Sequence, residues 1–176
     1  MNAPSDLNPD HLADSAWAAL ARMYGQPGVK ETVLALQDNN GVCVTALLTL
    51  LWSAANGHGP ASLPTVTAVV AESESLEADL LRPYRRARNG LRHRATADTG
   101  AAELRRRLLD QELELERYLQ TRVLAMLAPG AAREAVTDPD AAVETVLTRY
   151  LDCLGVTDNA ADDTFIRVLR DAVGGE

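Results

Sequence analysis

The chain has 176 residues, a length that fits one domain with a sizeable core. Its formal net charge of -8 argues against broad nucleic-acid binding and against an anionic membrane surface, because such proteins usually carry a basic domain or face. The hydrophobic fraction is 47% and the aromatic fraction only 4%, so the core must be filled mainly by Leu, Val and Ala. This composition favours packed helices over a β-sandwich.

The N-terminus and the longest apolar stretch indicate where the protein is located, and the two cysteines bear on its redox chemistry. The N-terminus MNAPSDLNPDHLAD has no basic start and no apolar run, so we expect a cytoplasmic protein with a flexible N-terminus at residues 1–8. The longest apolar stretch, residues 42–55, is shorter than the roughly 20 residues of a membrane-spanning helix. Cys43 and Cys153 lie in apolar helical patterns, typical of buried thiols, so no disulfide, metal site or cofactor is expected.

Helical spacing of apolar residues accounts for the first part of the chain. It predicts a first helix from Pro9 to Gly25, a second over about 28–37, and a nearly all-apolar third over about 42–56. Between the last two, Asn39-Asn40-Gly41 predicts a tight break, because Asn and Gly tolerate a positive φ.

A longer pattern then runs from Ser62 to Leu91 and passes through Pro83. An interior proline removes a hydrogen bond and clashes with the preceding turn, so we expect a kink, or a break into two helices, near residues 79–83. If the period is unbroken, the inner face consists of Leu80, Tyr84, Ala87 and Leu91.

Three further helices complete the predicted fold. One begins at Asp98-Thr99 and ends at Pro129-Gly130, the next runs from Asp138-Pro139 to Gly155, and the last begins at Asp158 or Asn159. With no alternating β pattern and no repeat, the sequence predicts an all-α, single-domain bundle of six to eight helices over residues 9–174.

The stretch Gln37-Asp38-Asn39-Asn40 stands directly before the apolar third helix. The favoured interpretation is that Asp38, Asn39 or Asn40 caps that helix by accepting hydrogen bonds from its free N–H groups. The alternative is a small polar pocket at the helix N-terminus, with Gln37 as a neutral donor to a ligand.

Six arginines crowd into the segment LLRPYRRARNGLRHRA: Arg82, Arg85, Arg86, Arg88, Arg92 and Arg94. On a regular helix Arg85, Arg88 and Arg92 share one flank, where their like charges require a compensating anion. Nearby carboxylates of the chain can supply that anion, in a solvated face with ion pairs. Alternatively, a phosphate-bearing ligand or an acidic partner supplies it. The carboxylates within reach are Glu72, Glu74, Glu77, Asp79, Asp110, Glu112, Glu114 and Glu116.

Enzyme signatures give little support to catalysis. Glu112 and Glu116 lie one turn apart, but no histidine has a glutamate three residues before it, as di-iron bundles require, so ordinary ion pairing is favoured. The sequence contains no phosphate-binding, dinucleotide-binding, nucleophile-elbow or zinc-protease motif.

Several motifs in order resemble a family of uncharacterised, conserved hypothetical proteins from proteobacteria. They span about residues 15–125 and comprise Trp17 with Tyr24-Gly25-x-Pro27-Gly28-Val29, Leu36-Gln37-Asp38-x-x-Gly41 with Val44, Leu47-Leu48 and Trp52, Arg82-Pro83 with Arg85 and Arg88, and Glu112-Leu113-x-x-Glu116-Arg117. Cys43 and Thr45 depart from the family pattern, which has an aspartate and an asparagine there. The resemblance implies a cytoplasmic all-α protein and supplies no activity.

Three hypotheses for function follow. The first is a non-enzymatic binding or adaptor protein whose arginine-rich helix docks an acidic or phosphate-bearing partner. The second is a small-ligand protein or enzyme with a site between Gln37-Asp38 and that helix. The third is a self-associating protein, a possible homodimer, because the long helix carries Leu109, Leu113, Leu124 and Leu127 on more than one face. The candidate site residues are Gln37, Asp38, Arg82, Arg85, Arg88 and Arg92.

Overall fold

The computed structural model describes residues 9–127, 138–156 and 163–174, and these form an all-α bundle without a strand. This confirms the predicted fold class. The helices are α1 (Pro9–Tyr24), α2 (Val29–Asn40), α3 (Val44–Ser53), α4 (Leu63–Leu76), α5 (Arg82–Gly90), α6 (Thr99–Met126), α7 (Pro139–Cys153) and α8 (Asp163–Gly174). The predictions for residues 1–8, for the stop at Pro129-Gly130 and for the start at Asp158 or Asn159 lie outside the described residues.

Helix α3 lies at the centre of the bundle. Every one of its residues from Thr45 to Ser53 is buried, and the helix contacts α1, α2, α4, α6 and α7. It is enclosed because it has no charged residue that would need water. Leu, Val and Ala fill the surrounding core, and Tyr150 of α7 is the largest fully buried side chain. Within the described residues, no helix is long and apolar enough to cross a membrane.

The prediction that Asp38, Asn39 or Asn40 caps the third helix is wrong. These residues form the last turn of α2, which ends at Gly41 with φ of 70° and the Gly41 N–H donating to the Gln37 carbonyl at 3.1 Å. Only glycine adopts this left-handed conformation without cost, so Gly41 ends α2. The residue at the N-cap of α3 is Cys43, whose side chain makes no capping hydrogen bond.

The chain stays helical through Pro83, but a π-helical turn at Glu77–Leu81 joins α4 to α5. The Arg82 N–H donates to the Glu77 carbonyl, five residues back. Proline has no N–H for an α-helical bond, so the widened turn accommodates Pro83 near the start of α5. The irregularity expected near residues 79–83 is therefore present, as backbone hydrogen bonds that reach five residues back and not four.

That turn also makes the predicted inner face of α5 wrong. The π turn holds about one residue more than an α-turn, so it rotates the following helix by about one residue position. Leu81 is consequently buried, while Leu80 and Ala87 are exposed and Arg85 and Arg88 turn towards α6. Helix α5 has no buried residue of its own.

Candidate functional site

Arg85 is surrounded by three carboxylates from two other segments. Its Nη1 donates to Glu77 in the π turn at 2.7 Å, its Nε to Glu112 of α6 at 3.0 Å, and its Nη2 to Glu116 of α6 at 2.9 Å. The planar fork of an arginine, with five N–H donors, suits several acceptors at once. All three donor nitrogens of Arg85 are thus engaged inside the molecule.

Glu112 is shared between two arginines. Its Oε1 accepts from Arg85, and its Oε2 accepts from the Nε of Arg88 at 2.6 Å. We call the five residues Glu77, Arg85, Arg88, Glu112 and Glu116 the ionic cluster. With every member ionised, three carboxylates face two guanidinium groups, so the cluster carries one negative charge in excess.

The ionic cluster is largely withdrawn from water. The side chains of Glu77 and Glu112 are 8% and 6% exposed, whereas those of Arg85 and Glu116 are 20% and 21% exposed. Buried charges of this kind must be paired, since removal of one partner leaves the other without solvent or counter-ion. The cluster therefore fixes α5 against α6, with the two arginines as the bridging groups.

The two partners Arg85 and Glu116 respond differently to this environment. Burial acts to lower the pKa of Arg85, but attraction and hydrogen bonds from Glu77 and Glu116 outweigh it and raise that pKa. Burial raises the pKa of Glu116 above its usual range, with Arg85 opposing the rise and Glu112 and Glu77 adding to it. Because Arg85 is shared among three carboxylates, it cannot fully compensate Glu116.

A second polar group lies nearby, where the segment before α3 meets α7. The backbone N–H of Cys43 donates to the Tyr150 hydroxyl at 3.3 Å, and Glu77 acts on both side chains electrostatically. Burial raises the pKa of the Cys43 thiol to about 12 and also raises that of Tyr150. A thiol and a phenol held neutral in this way are poor nucleophiles. The Tyr150 hydroxyl satisfies the backbone of Cys43 inside the core.

The remaining arginines of the segment point elsewhere. Arg92 does not join Arg85 and Arg88, because α5 ends at Gly90 and the Arg92 N–H donates to the Asn89 carbonyl in the following turn. Together with Arg92, three more arginines are exposed and have side chains with no ion-pair or hydrogen-bond partner within the described ranges: Arg82, Arg86 and Arg94. The predicted set of six arginines thus divides into two internal and four outward-facing residues.

Gln37 and Asp38 lie in the last turn of α2, where Gln37 is partly buried and Asp38 is exposed. Neither residue lines the cavity between α1, α7 and α8. The guanidinium groups of Arg85 and Arg88, which would complete a site with Asp38, donate to glutamates instead. Binding of a ligand by Gln37 and Asp38 stays a prediction.

Sequence reasoning missed two structural features. Gln120 of α6 is fully buried, and neither its amide nitrogen nor its amide oxygen has a hydrogen-bond partner in the part of the chain that the structure describes. A cavity of about 330 Å³ lies between α1, α7 and α8, beside the π turn Ala54–His58 that follows α3. Four segments that are far apart in the sequence line this cavity, so no local sequence pattern could reveal it.

The fold and the ionic cluster define an all-α protein in which buried ion pairs hold the two helices of a hairpin, α5 and α6, to each other and to the π turn before α5. The chain belongs to the family described as "Protein of unknown function (DUF2390)", whose profile matches residues 15–123. That range includes α5, the π turn before it and every residue of the ionic cluster. No curated protein and no solved structure matches the chain.

Proposed function

We propose that this protein is a helical docking protein whose α5–α6 hairpin binds an acidic segment of a partner protein. The observation that supports the proposal is the set of four exposed arginines, Arg82, Arg86, Arg92 and Arg94, with no carboxylate partner among the described residues. The four arginines lie within residues 82–94 of a chain whose formal net charge is -8. We call these four residues the outer arginine surface.

The internal arginines support the same proposal in a different way. Arg85 and Arg88 are occupied by Glu77, Glu112 and Glu116, so we assign them a positioning role. They hold α5 in one orientation, and Arg82 and Arg86, four residues apart, then share its outer face. A preformed row of guanidinium groups binds carboxylates with less loss of side-chain and backbone entropy than a mobile segment would.

A fluorescent peptide of alternating glutamate and glycine is the probe for this surface. We expect the Arg82→Glu/Arg86→Glu variant to bind it at least about tenfold more weakly, because two attractions become repulsions. The wild-type affinity should also fall as salt rises, since exposed charges are screened. The matched control is Lys30→Glu/Arg167→Glu, which reverses two exposed charges on α2 and α8.

Equal weakening in both variants would indicate a net-charge effect and would reject the outer arginine surface. Binding of phosphorylated small molecules in place of the peptide would favour the alternative of a small-ligand site between Gln37-Asp38 and the arginine helix. In either case we propose a cytoplasmic protein, which fractionation of cells expressing the full chain would test.

A second candidate function is self-association through α6. Leu109 and Leu113 are 37% and 45% exposed and lie four residues apart, so they share one outward face. Leu127, by contrast, is buried, and Leu124 packs against the core, which removes both from any such surface. Light scattering should show a dimer that the Leu109→Glu/Leu113→Glu variant converts to a monomer; a monomeric wild type would reject this candidate.

A further inference from the structure

We propose that the cavity between α1, α7 and α8 binds a small organic anion with an apolar or aromatic body. Its volume of about 330 Å³ lies at the lower end of the roughly 300–1,000 Å³ that small-molecule sites occupy. The cavity is separate from the ionic cluster and from the outer arginine surface, since no residue of α4, α5 or α6 lines it. The proposal is therefore independent of the docking function.

One part of the cavity lining is apolar. Met23 of α1, Trp52 of α3 and Val143 of α7 all line it and are themselves at most 9% exposed. These side chains are held by the core, so the apolar wall exists before a ligand arrives. An indole ring in such a wall favours a flat or aromatic ligand, because offset aromatic contacts add to the burial of apolar area.

The rest of the lining supplies positive charge and hydrogen bonds. Arg22 of α1 has no ion-pair partner among the described residues, and the carboxylate nearest to Arg170 of α8 belongs to its neighbour Asp171, at 3.9 Å. Asp140 is the one carboxylate among the lining residues, against two arginines, and Asp171, which is not among them, lies only at the limit of an ion pair with Arg170. A second anion would balance the site, and arginine is suited to carboxylate, sulfonate or phosphate groups.

Asn56 fixes the polar side of the cavity in place. Its Nδ2 donates to the Trp52 carbonyl at 2.8 Å, one turn earlier, at the point where α3 passes into the π turn Ala54–His58. Widened turns of this kind are frequent at functional sites, where they re-aim side chains without ending the helix. Here the turn brings Ala55 and Asn56 to the same cavity as Trp52.

The test uses two dyes that differ by one group. The anion is 8-anilinonaphthalene-1-sulfonate, and its neutral counterpart is N-phenyl-1-naphthylamine, which has the same aromatic body without the sulfonate. A Trp17→Phe background leaves Trp52 as the only tryptophan. Energy transfer from Trp52 then shows that the dye binds near this residue, and loss of binding in the arginine variant described next assigns it to the cavity.

We expect the sulfonate dye to bind at least about tenfold more tightly than the neutral dye, because a charge-assisted hydrogen bond contributes about that factor. The Arg22→Ala/Arg170→Ala variant should bind the sulfonate dye at least about tenfold more weakly and the neutral dye within about twofold of the parent. Arg22→Gln/Arg170→Gln should give the same pattern with polar side chains kept. Lys30→Ala/Arg167→Ala, which removes two exposed charges outside the cavity, should leave both affinities unchanged.

Equal affinities for the two dyes, or an equal loss in the Lys30→Ala/Arg167→Ala control, would overturn the proposal of an anion site. Absence of energy transfer from Trp52 would overturn it as well, because the dye would then lie elsewhere. A melting curve is recorded for each variant, and dye binding is followed over the same temperatures. Binding that increases as the protein unfolds is then assigned to the unfolded chain.

Discussion

Arg85 has a charged side chain of the kind usually found at the surface, yet it is part of the interior because three carboxylates pair with it. It donates to Glu77, Glu112 and Glu116, and its side chain is only 20% exposed. Replacing a whole buried ion cluster by apolar residues is often harmless, whereas removing one member leaves its partners charged and unpaired. The consequences of single substitutions in the ionic cluster follow from this asymmetry.

Arg85→Ala should lower the free energy of unfolding by about 3–5 kcal/mol, the usual cost of breaking a buried ion pair from one side. Arg86→Ala, at the neighbouring exposed position, is the matched control and should change stability by no more than about 0.5 kcal/mol. Denaturant unfolding measures both. Equal effects of the two substitutions would show that the pairs around Arg85 contribute no more than surface pairs.

Glu116 makes stability depend on pH in a defined direction. Burial raises the pKa of this carboxyl from 4.5, so the folded protein holds its proton more tightly than the unfolded chain does. Stability therefore falls as pH rises from about 4.5 through the folded pKa, and the loss is complete above it. Glu116→Gln removes this titration while keeping an acceptor for Arg85.

The stability of Glu116→Gln relative to wild type should accordingly rise as pH increases from about 4.5 towards neutral. Unfolding free energies measured at several pH values give this difference directly. Glu114→Gln, an exposed change two residues from both Glu112 and Glu116, should show no such trend. A constant difference between Glu116→Gln and wild type over the same pH range would contradict the raised pKa.

At the scale of the element, α5 is a helix without a buried residue of its own. Its attachment to α6 depends on the ionic cluster, and in particular on Glu112, which accepts from both Arg85 and Arg88. The segment from α5 to the start of α6 is thus expected to open more readily than the rest of the bundle when the cluster is weakened.

Glu112→Gln should speed amide hydrogen exchange in residues 82–96 by about 10- to 100-fold, because it removes the charge that both arginines share. Exchange in the enclosed helix α3 should not change. Mass spectrometry of peptic fragments resolves these two regions, with Glu114→Gln as the control on the same helix. Faster exchange in α3 to the same extent would mean that the substitution loosens the whole molecule.

The elements also show what the sequence could and could not predict. The helices follow from the spacing of apolar residues, but the inner face of α5 was wrong because the π turn at Glu77–Leu81 changes a hydrogen-bond register that periodicity does not reveal. The role of Asp38 and Asn40 was wrong for another reason: Asn, Asp and Gly occur at both ends of helices, so their presence between two helices does not say which one they end. The sequence left open whether Arg85 pairs with internal carboxylates or with an external anion. Which carboxylates pair with it depends on the rotation of α5 by the π turn.

At the scale of the whole molecule, the described helices share one apolar core, in which α3 is enclosed by its neighbours. Trp17 of α1 and Trp52 of α3 report on different parts of this bundle, and circular dichroism reports on all helices. A single domain of this kind usually unfolds in one cooperative transition.

We therefore expect the midpoints of chemical unfolding to coincide when helix content is followed by circular dichroism and core packing by tryptophan fluorescence. An ionic cluster that connects the π turn Glu77–Leu81, α5 and α6 strengthens this expectation, because α5 cannot detach without exposing its paired charges. An early loss of helix content at unchanged fluorescence would show instead that the hairpin unfolds as a separate unit.

The π turn before Pro83 also bears on how chains of different length can be compared. A chain that lacked one residue between Glu77 and Leu81, and had no proline at position 83, could run as a straight α-helix and still present its two arginines to α6. A gap of one residue at this point in an alignment would then leave the ion pairs in place. Differences in length here are compatible with one shared architecture, whereas a gap between Arg85 and Arg88 would move one of them away from its glutamate.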